Sequence, residues 1–278
     1  MTTTTAPVTA TAEDRALKAK HAAIWASGSY PTVVTDIVEP LGSILVETVD
    51  VQRGQHVLDV AAGTGTSAIP SARRGAAVVA TDLTPELLDV GRSSTDAKGL
   101  ELTWQTADAE ALPYPTAGFD VVLSCIGVMF APHHQQAADE LVRVCRPGGT
   151  IGVLSWTPEG FIGQLFAVMK PYAPPPPPGA SPAPLWGRAD HVHNLFGDRV
   201  TDLVARQQTL RVDRFANGAE WRAFMKAHYG PTIAVFRFIA DDPAKVDSLD
   251  AELAALGDRF LEAGVMDWEY LLVTARRA

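Results

Sequence analysis

The chain has 278 residues, 47% of them hydrophobic and 20% charged, which excludes global disorder and leaves room for one large domain or two small ones. Its 23 Lys and Arg against 32 Asp and Glu leave a formal charge of −9, which argues against a surface built to track nucleic-acid phosphates. Cys125 and Cys145 are too few for a disulfide framework or metal cluster, no apolar run approaches the roughly 20 residues that span a bilayer, and the first residues lack signal-peptide features. A cytoplasmic protein with no metal, no membrane partner and no nucleic-acid partner is expected.

Residues 1–10 are rich in Thr and Ala without periodicity and read as a flexible tail. Thr11 with Asp14 starts a helix that places Leu17, His21, Ile24 and Trp25 on one face. A Gly/Ser/Pro break at 27–31 precedes a second helical stretch reaching Val49, which Pro40 is expected to kink. From residue 55 the period changes. Short β-branched runs at 56–62, 76–82, 102–108, 119–126 and 150–156 alternate with helical stretches at 66–74, 85–98 and 133–146. Thr84, Pro85 and Gly99 supply the cap, first turn and stop of the middle helix. The alternation predicts a doubly wound, mostly parallel α/β sheet with right-handed crossovers and helices on both faces.

Residues 157–206 break the alternation: eight of the chain's 20 prolines fall within 171–184, where polyproline II is expected. Regular elements resume at 207–215. Asn217 with Glu220 opens a helix bearing Trp221, Phe224 and Met225, another runs from Pro243 to Phe260, and 267–275 reads as a strand.

The chemistry concentrates where the first strand runs into Gly63-Thr64-Gly65. Glycines at such a turn let backbone N–H groups approach a ligand beside the positive end of a helix. Asp82 closes the next strand, where a carboxylate can accept from both hydroxyls of an adenosine ribose. Gly63-x-Gly65-x-x-Ala68 alone is also compatible with a dinucleotide enzyme. Three features separate the alternatives. Asp59, inside the first strand, suits a cationic amino group and would repel a pyrophosphate. Asp108-Ala109 ends the third strand and suits the exocyclic amine of an adenine. Arg146-Pro147-Gly148-Gly149 makes a sharp stop before the fifth strand.

Leu58-Asp59-Val60-Ala61-Ala62-Gly63-Thr64-Gly65, Asp82-Leu83-Thr84-Pro85, Asp108-Ala109 and Arg146–Gly149 together resemble the class I S-adenosylmethionine-dependent methyltransferases, most closely the small-molecule branch that includes quinone-biosynthesis enzymes. The resemblance covers residues 51–156 well and 207–275 loosely. It implies a seven-stranded Rossmann-like sheet, with S-adenosyl-L-methionine as cofactor and a helical lid at 11–50. The core would occupy 51–156, a Pro-rich cap 157–206, and the remaining core sheet and helices 207–278. It also implies that Gly63 and Gly65 border the methionine moiety and ribose, that Asp59 lies near the ammonium and that Asp82 binds the ribose diol. Leu83 would lie on the adenine, Asp108 and Ala109 would hold its edge, and Cys125 would pass the methionine part. Ala61 stands where a glycine is frequent, and an alanine within a strand is tolerable there. Trp25 and Tyr30 are candidate lid contacts.

The expected reaction is in-line methyl transfer to a small aromatic or lipophilic acceptor, suggested by Trp156, Phe161, Phe166, Tyr172 and Trp186 in and before the cap. His133 is the candidate base, with His134, His191 and His193 as alternatives. Cys125 reads as a wall residue and Cys145 as helix-face core. A monomer or homodimer is expected. The alternatives are a non-catalytic S-adenosylmethionine-binding regulatory module, a nicotinamide oxidoreductase and, given the charge, least of all a nucleic-acid methylase.

Overall fold

The computed structural model describes residues 12–278; the expected tail at 1–10 and the helix start at Thr11 lie outside the described residues. Strands β1 (His56–Val60), β2 (Ala77–Asp82), β3 (Thr103–Thr106), β4 (Phe119–Cys125), β5 (Cys145–Trp156), β6 (Val200–Val212) and β8 (Val265–Arg277) form a sheet in the order β3-β2-β1-β4-β5-β8-β6, and the short β7 (Leu261–Glu262) pairs with β8. β1 to β5 are mutually parallel, while β8 runs antiparallel to β5 and to β6. Val57, Leu58 and Val60 of β1 are wholly buried, as a strand covered on both faces requires.

The helices are α1 (Ala12–Trp25), α2 (Tyr30–Val33), α3 (Glu39–Thr48), α4 (Ala68–Arg73), α5 (Pro85–Asp96), α6 (His134–Val144), α7 (Phe161–Met169), α8 (Ala189–Phe196), α9 (Gly218–His228), α10 (Gly230–Phe238) and α11 (Pro243–Phe260). Among the described residues no helix is long and apolar enough to cross a membrane. The kink expected at Pro40 takes the form of a π-helical turn over Val34–Val38, which leads into α3 one residue before Pro40, a residue with no N–H to continue a regular ladder. Asn217 accepts from the Glu220 amide, whose carboxylate in turn accepts from the Ala216 amide, and this fixes the start of α9.

Three local expectations are corrected. Arg146–Gly149 is not a stop before the fifth strand: β5 begins at Cys145, and the glycines form an irregularity within it, with Gly148 at φ +70° and a register shift opposite Phe119–Val121. Cys145 is accordingly a buried strand residue and not part of the α6 face. β6 starts at Val200 and not near residue 207: among the described residues it is the end strand of the sheet, mostly exposed, and its polar residues carry no alternating signal.

Trp156, Phe161 and Trp186 are at most 3% exposed, packed among Trp268, Trp221, Phe196 and one another's neighbours, so they belong to the core. Apolar size announced burial but not the surface buried against. Trp186→Ala is expected to lower stability by about 3–5 kcal/mol, roughly 10 °C in Tm, with ligand affinity unchanged. Thermal unfolding alongside a binding titration checks this, and lost affinity at constant Tm would reverse the assignment.

Candidate active site

At the carboxyl ends of β1, β2 and β4 the chain opens into a cleft of about 770 Å³, roofed by α1 and α2. Open α/β sheets place their ligand crevice at this edge. The floor is the turn after β1. Gly63, at φ +56°, faces the cleft: a Cβ there would meet only the Tyr30 ring, at 3.8 Å. Its amide donates to Asp82 Oδ2 at 2.8 Å, and the Thr84 amide donates to Asp82 Oδ1 at 2.8 Å. Asp82 thus joins the end of β2 to the glycine turn. Burial raises its pKa, and these amides work against that rise.

Ala61 is not a strand residue. It follows β1 with φ +54°, a left-handed conformation that an L-alanine adopts at a cost of roughly 1 kcal/mol, and it too lines the cleft. Gly65, at φ +94°, lies outside the lining. A Cβ on it would stand 2.7 Å from the Trp104 ring, so this glycine serves close packing under β3 and α4. Asp59 also lies outside the lining, wholly buried beneath the turn. Neither carboxylate oxygen has a hydrogen-bond partner within bonding geometry. Burial pushes its pKa up to about 7, although the nearby Ser67 hydroxyl and the Ser67 and Ala68 amides hold it down in part.

Leu83, Ala109 and Cys125 line the cleft, as do Asp108, Trp25 and Tyr30. Burial raises the Cys125 thiol well above its ordinary value, and the Asp59 carboxylate adds to the effect, so Cys125 is a neutral wall and not a nucleophile. Burial likewise raises the Tyr30 hydroxyl. Trp25 meets Tyr30, Phe130 and Tyr229 edge-on, with ring centroids at 5.1, 4.7 and 5.8 Å.

His133 does not line the cleft. It lies next to Pro132, which does, and its Nδ1 is 2.9 Å from Glu110 Oε2 while its backbone N–H donates to Glu110 Oε1 at 2.7 Å. His134 turns to His191, Nδ1 to Nε2 at 3.0 Å, away from the lining; burial and then His191 push its pKa down to about 4.

Sequence reasoning missed Lys18, His21, Phe130 and Glu110. Lys18, His21 and Trp25 share the i, i+3, i+7 spacing of one helical face, a signal present in the sequence, and all three line the cleft. Glu110 has no local signal, since the groups it binds come from α1 and from the start of α6.

The residues present fit a nucleoside cofactor bearing an ammonium group. An unpartnered buried carboxylate lies under the turn, a glycine leaves space above it, and carboxylates close both β2 and the loop after β3.

Residues 57–149 match a family model described as a methyltransferase domain. The chain is 51% identical to an uncharacterized protein of Mycobacterium tuberculosis over 97% of this chain and 98% of that one. It is 38% identical to a demethylmenaquinone methyltransferase of Thermus thermophilus over 41% of this chain and 54% of the relative. The solved structure of the YcgJ protein from Bacillus subtilis superposes with a TM-score of 0.59 at 17% identity, covering 85% of this chain and 97% of that one.

Proposed function

This chain belongs to the class I S-adenosylmethionine-dependent methyltransferases, and from that premise we propose that its acceptor is a small aromatic or lipophilic molecule seated against Trp25, Tyr30 and Phe130. The observation that carries the reading is the apolar, aromatic character of the lining where the lid meets the end of β4. When bound, S-adenosylmethionine supplies a methyl group on a sulfonium that a nucleophile displaces in line. The rest falls to the chain. Asp82 accepts from the ribose diol with the lone pairs that Gly63 and Thr84 leave free, Asp108 and Ala109 face the adenine edge, and Asp59 offers negative charge beneath the turn.

Of the titratable side chains in the lining, burial holds Tyr30 and Cys125 neutral, and burial and then Lys18 lower the pKa of His21. The reading gives proton removal no early part. The protein contributes alignment of acceptor and methyl and exclusion of water. His133, with its ring turned to Glu110, has no direct role in it. A small-molecule acceptor and a cytoplasmic setting belong to the same proposal.

Phe130→Ala tests the acceptor. Against a panel of hydroxylated and aminated aromatic molecules, KM should rise about tenfold, the equivalent of roughly 1.4 kcal/mol of lost aromatic contact, with S-adenosylhomocysteine affinity unchanged. Turnover confined to small polar acceptors, insensitive to Phe130→Ala, would overturn the aromatic assignment.

A further inference from the structure

Helix α1 is attached in two unlike ways. Its C-terminal end is packed: Trp25 sits among Tyr30, Phe130 and Tyr229, and the backbone of α10 comes so close that a Cβ on Gly230 would stand 2.2 Å from the Ile24 carbonyl. Toward its N-terminal end the picture changes. The one residue that α1 fully buries is Lys18, a lysine. A helix held by apolar burial sinks a stripe of Leu, Ile or Val into its support, whereas Leu17, Ile24 and Trp25 on the apolar face of α1 are only half-buried.

Lys18 compensates with charge. Its Nζ lies 2.6 Å from Asp108 Oδ2, 2.5 Å from Glu110 Oε2 and 3.8 Å from Asp14 Oδ1. The Glu110 side chain is 2% exposed, and its other contacts are the His133 ring and amide. Asp108 Oδ1 accepts from the Glu110 amide at 2.9 Å. One ammonium thus joins α1 to the loop after β3 and, through Glu110, to the start of α6. Burial lowers the lysine pKa, but the two carboxylates outweigh this and raise it, so the cation is maintained. Lys18 and Asp108 both line the cleft.

We propose that Lys18 is a positioning residue for this cleft: it pins the N-terminal half of α1 across the cleft mouth by bridging Asp108 and Glu110, and ligand exchange requires that bridge to open. The proposal depends on the cofactor reading only for which ligand lies beneath. The bridge also orients Asp108, the carboxylate assigned to the adenine edge, by holding Oδ2 to the lid and Oδ1 to the Glu110 amide.

The test is hydrogen exchange on the full chain, read on peptides spanning 12–25, together with stopped-flow dissociation of S-adenosylhomocysteine. Charge-assisted hydrogen bonds of this kind are strong enough that Lys18→Met should speed exchange in the N-terminal half of α1, and dissociation, each by about tenfold or more. Exchange in β1, β4 and β5 should not change, and Lys18→Arg should restore most of both effects. If Lys18→Met fails to fold because two carboxylates are left unpaired, the double substitution Lys18→Met with Glu110→Gln removes the excess charge and should show the same release. Exchange of α1 and dissociation both matching the wild type in a folded variant would overturn the latch. Should the wild type bind no S-adenosylhomocysteine, the cofactor reading fails, and α1 exchange in the free protein still decides on Lys18.

Discussion

Asp82→Ala is expected to weaken binding of S-adenosylmethionine and S-adenosylhomocysteine at least about a hundredfold, the equivalent of roughly 2.7 kcal/mol. Two effects add. The ribose diol loses its acceptor, and the Gly63 and Thr84 amides lose the carboxylate that both donate to at 2.8 Å. Each abandoned buried amide costs about 1–3 kcal/mol, so the glycine turn loosens where the ligand must rest on it. Asp82→Asn separates the contributions. It keeps one oxygen acceptor but turns an NH2 toward the other amide, so it should lose only about tenfold in affinity, with Tm lowered by less than in the alanine variant. Calorimetric titration of both variants, with thermal unfolding as the fold control, checks the pair. Equal, small losses for alanine and asparagine would show that the carboxylate does not touch the ligand.

Asp59→Asn is expected to stabilise the free protein while weakening the cofactor. Burial pushes the native carboxyl up to about 7 from an ordinary value of 3.8, outweighing the Ser67 hydroxyl and the Ser67 and Ala68 amides that hold it down in part. Between those values the folded chain holds a proton that the unfolded chain has released. Stability is therefore greatest below about pH 4 and falls as pH rises through the native value near 7. The full penalty is roughly 4 kcal/mol above that pH. An asparagine escapes it. The advantage of Asp59→Asn over wild type should grow from roughly 1.5 kcal/mol at pH 5 to roughly 4 kcal/mol at pH 8, where it appears as about 5 °C or more in Tm. Comparing the two proteins at each pH cancels Asp82, whose pKa burial also raises. Affinity for S-adenosylhomocysteine should fall about tenfold with the negative charge. An asparagine variant equally destabilised at both pH values would mean that Asp59 is satisfied in the free protein and holds the turn together.

A carboxylate left unpaired and costly in the free state is what a site awaiting a cation shows. Ala61, at φ +54°, adds strain to the same turn.

The sequence made the site's floor legible because local chain geometry determines it. Gly63 and Asp82 are joined by one strand–helix–strand unit, and such a unit returns the second strand beside the first, bringing the acid to the glycine amide. The strand pattern likewise gave the parallel half of the sheet, since β-branched runs buried on both faces leave an unbroken apolar signature. The roof was less legible. Lys18 meets Asp108 across 90 residues, and nothing in either neighbourhood announces the other. Trp186 and Phe130 look alike in sequence, yet one is sealed in the core and the other lines the cleft, because residue type reports burial and not the partner surface. Ala61 reads as a strand residue because its departure from the strand is a matter of one dihedral angle, which no side-chain pattern reveals. His133 sits one residue from the cleft wall, and only the Glu110 carboxylate, not its position in the chain, decides where its ring turns.

The measurement that bears most directly on the account is calorimetric titration of the full chain with S-adenosylhomocysteine and, separately, with NAD. Micromolar binding of S-adenosylhomocysteine, abolished in Asp82→Ala, with no heat from NAD, is the predicted result. Binding of NAD in its place, or affinity for S-adenosylhomocysteine that survives loss of Asp82, would contradict the assignment of this cleft.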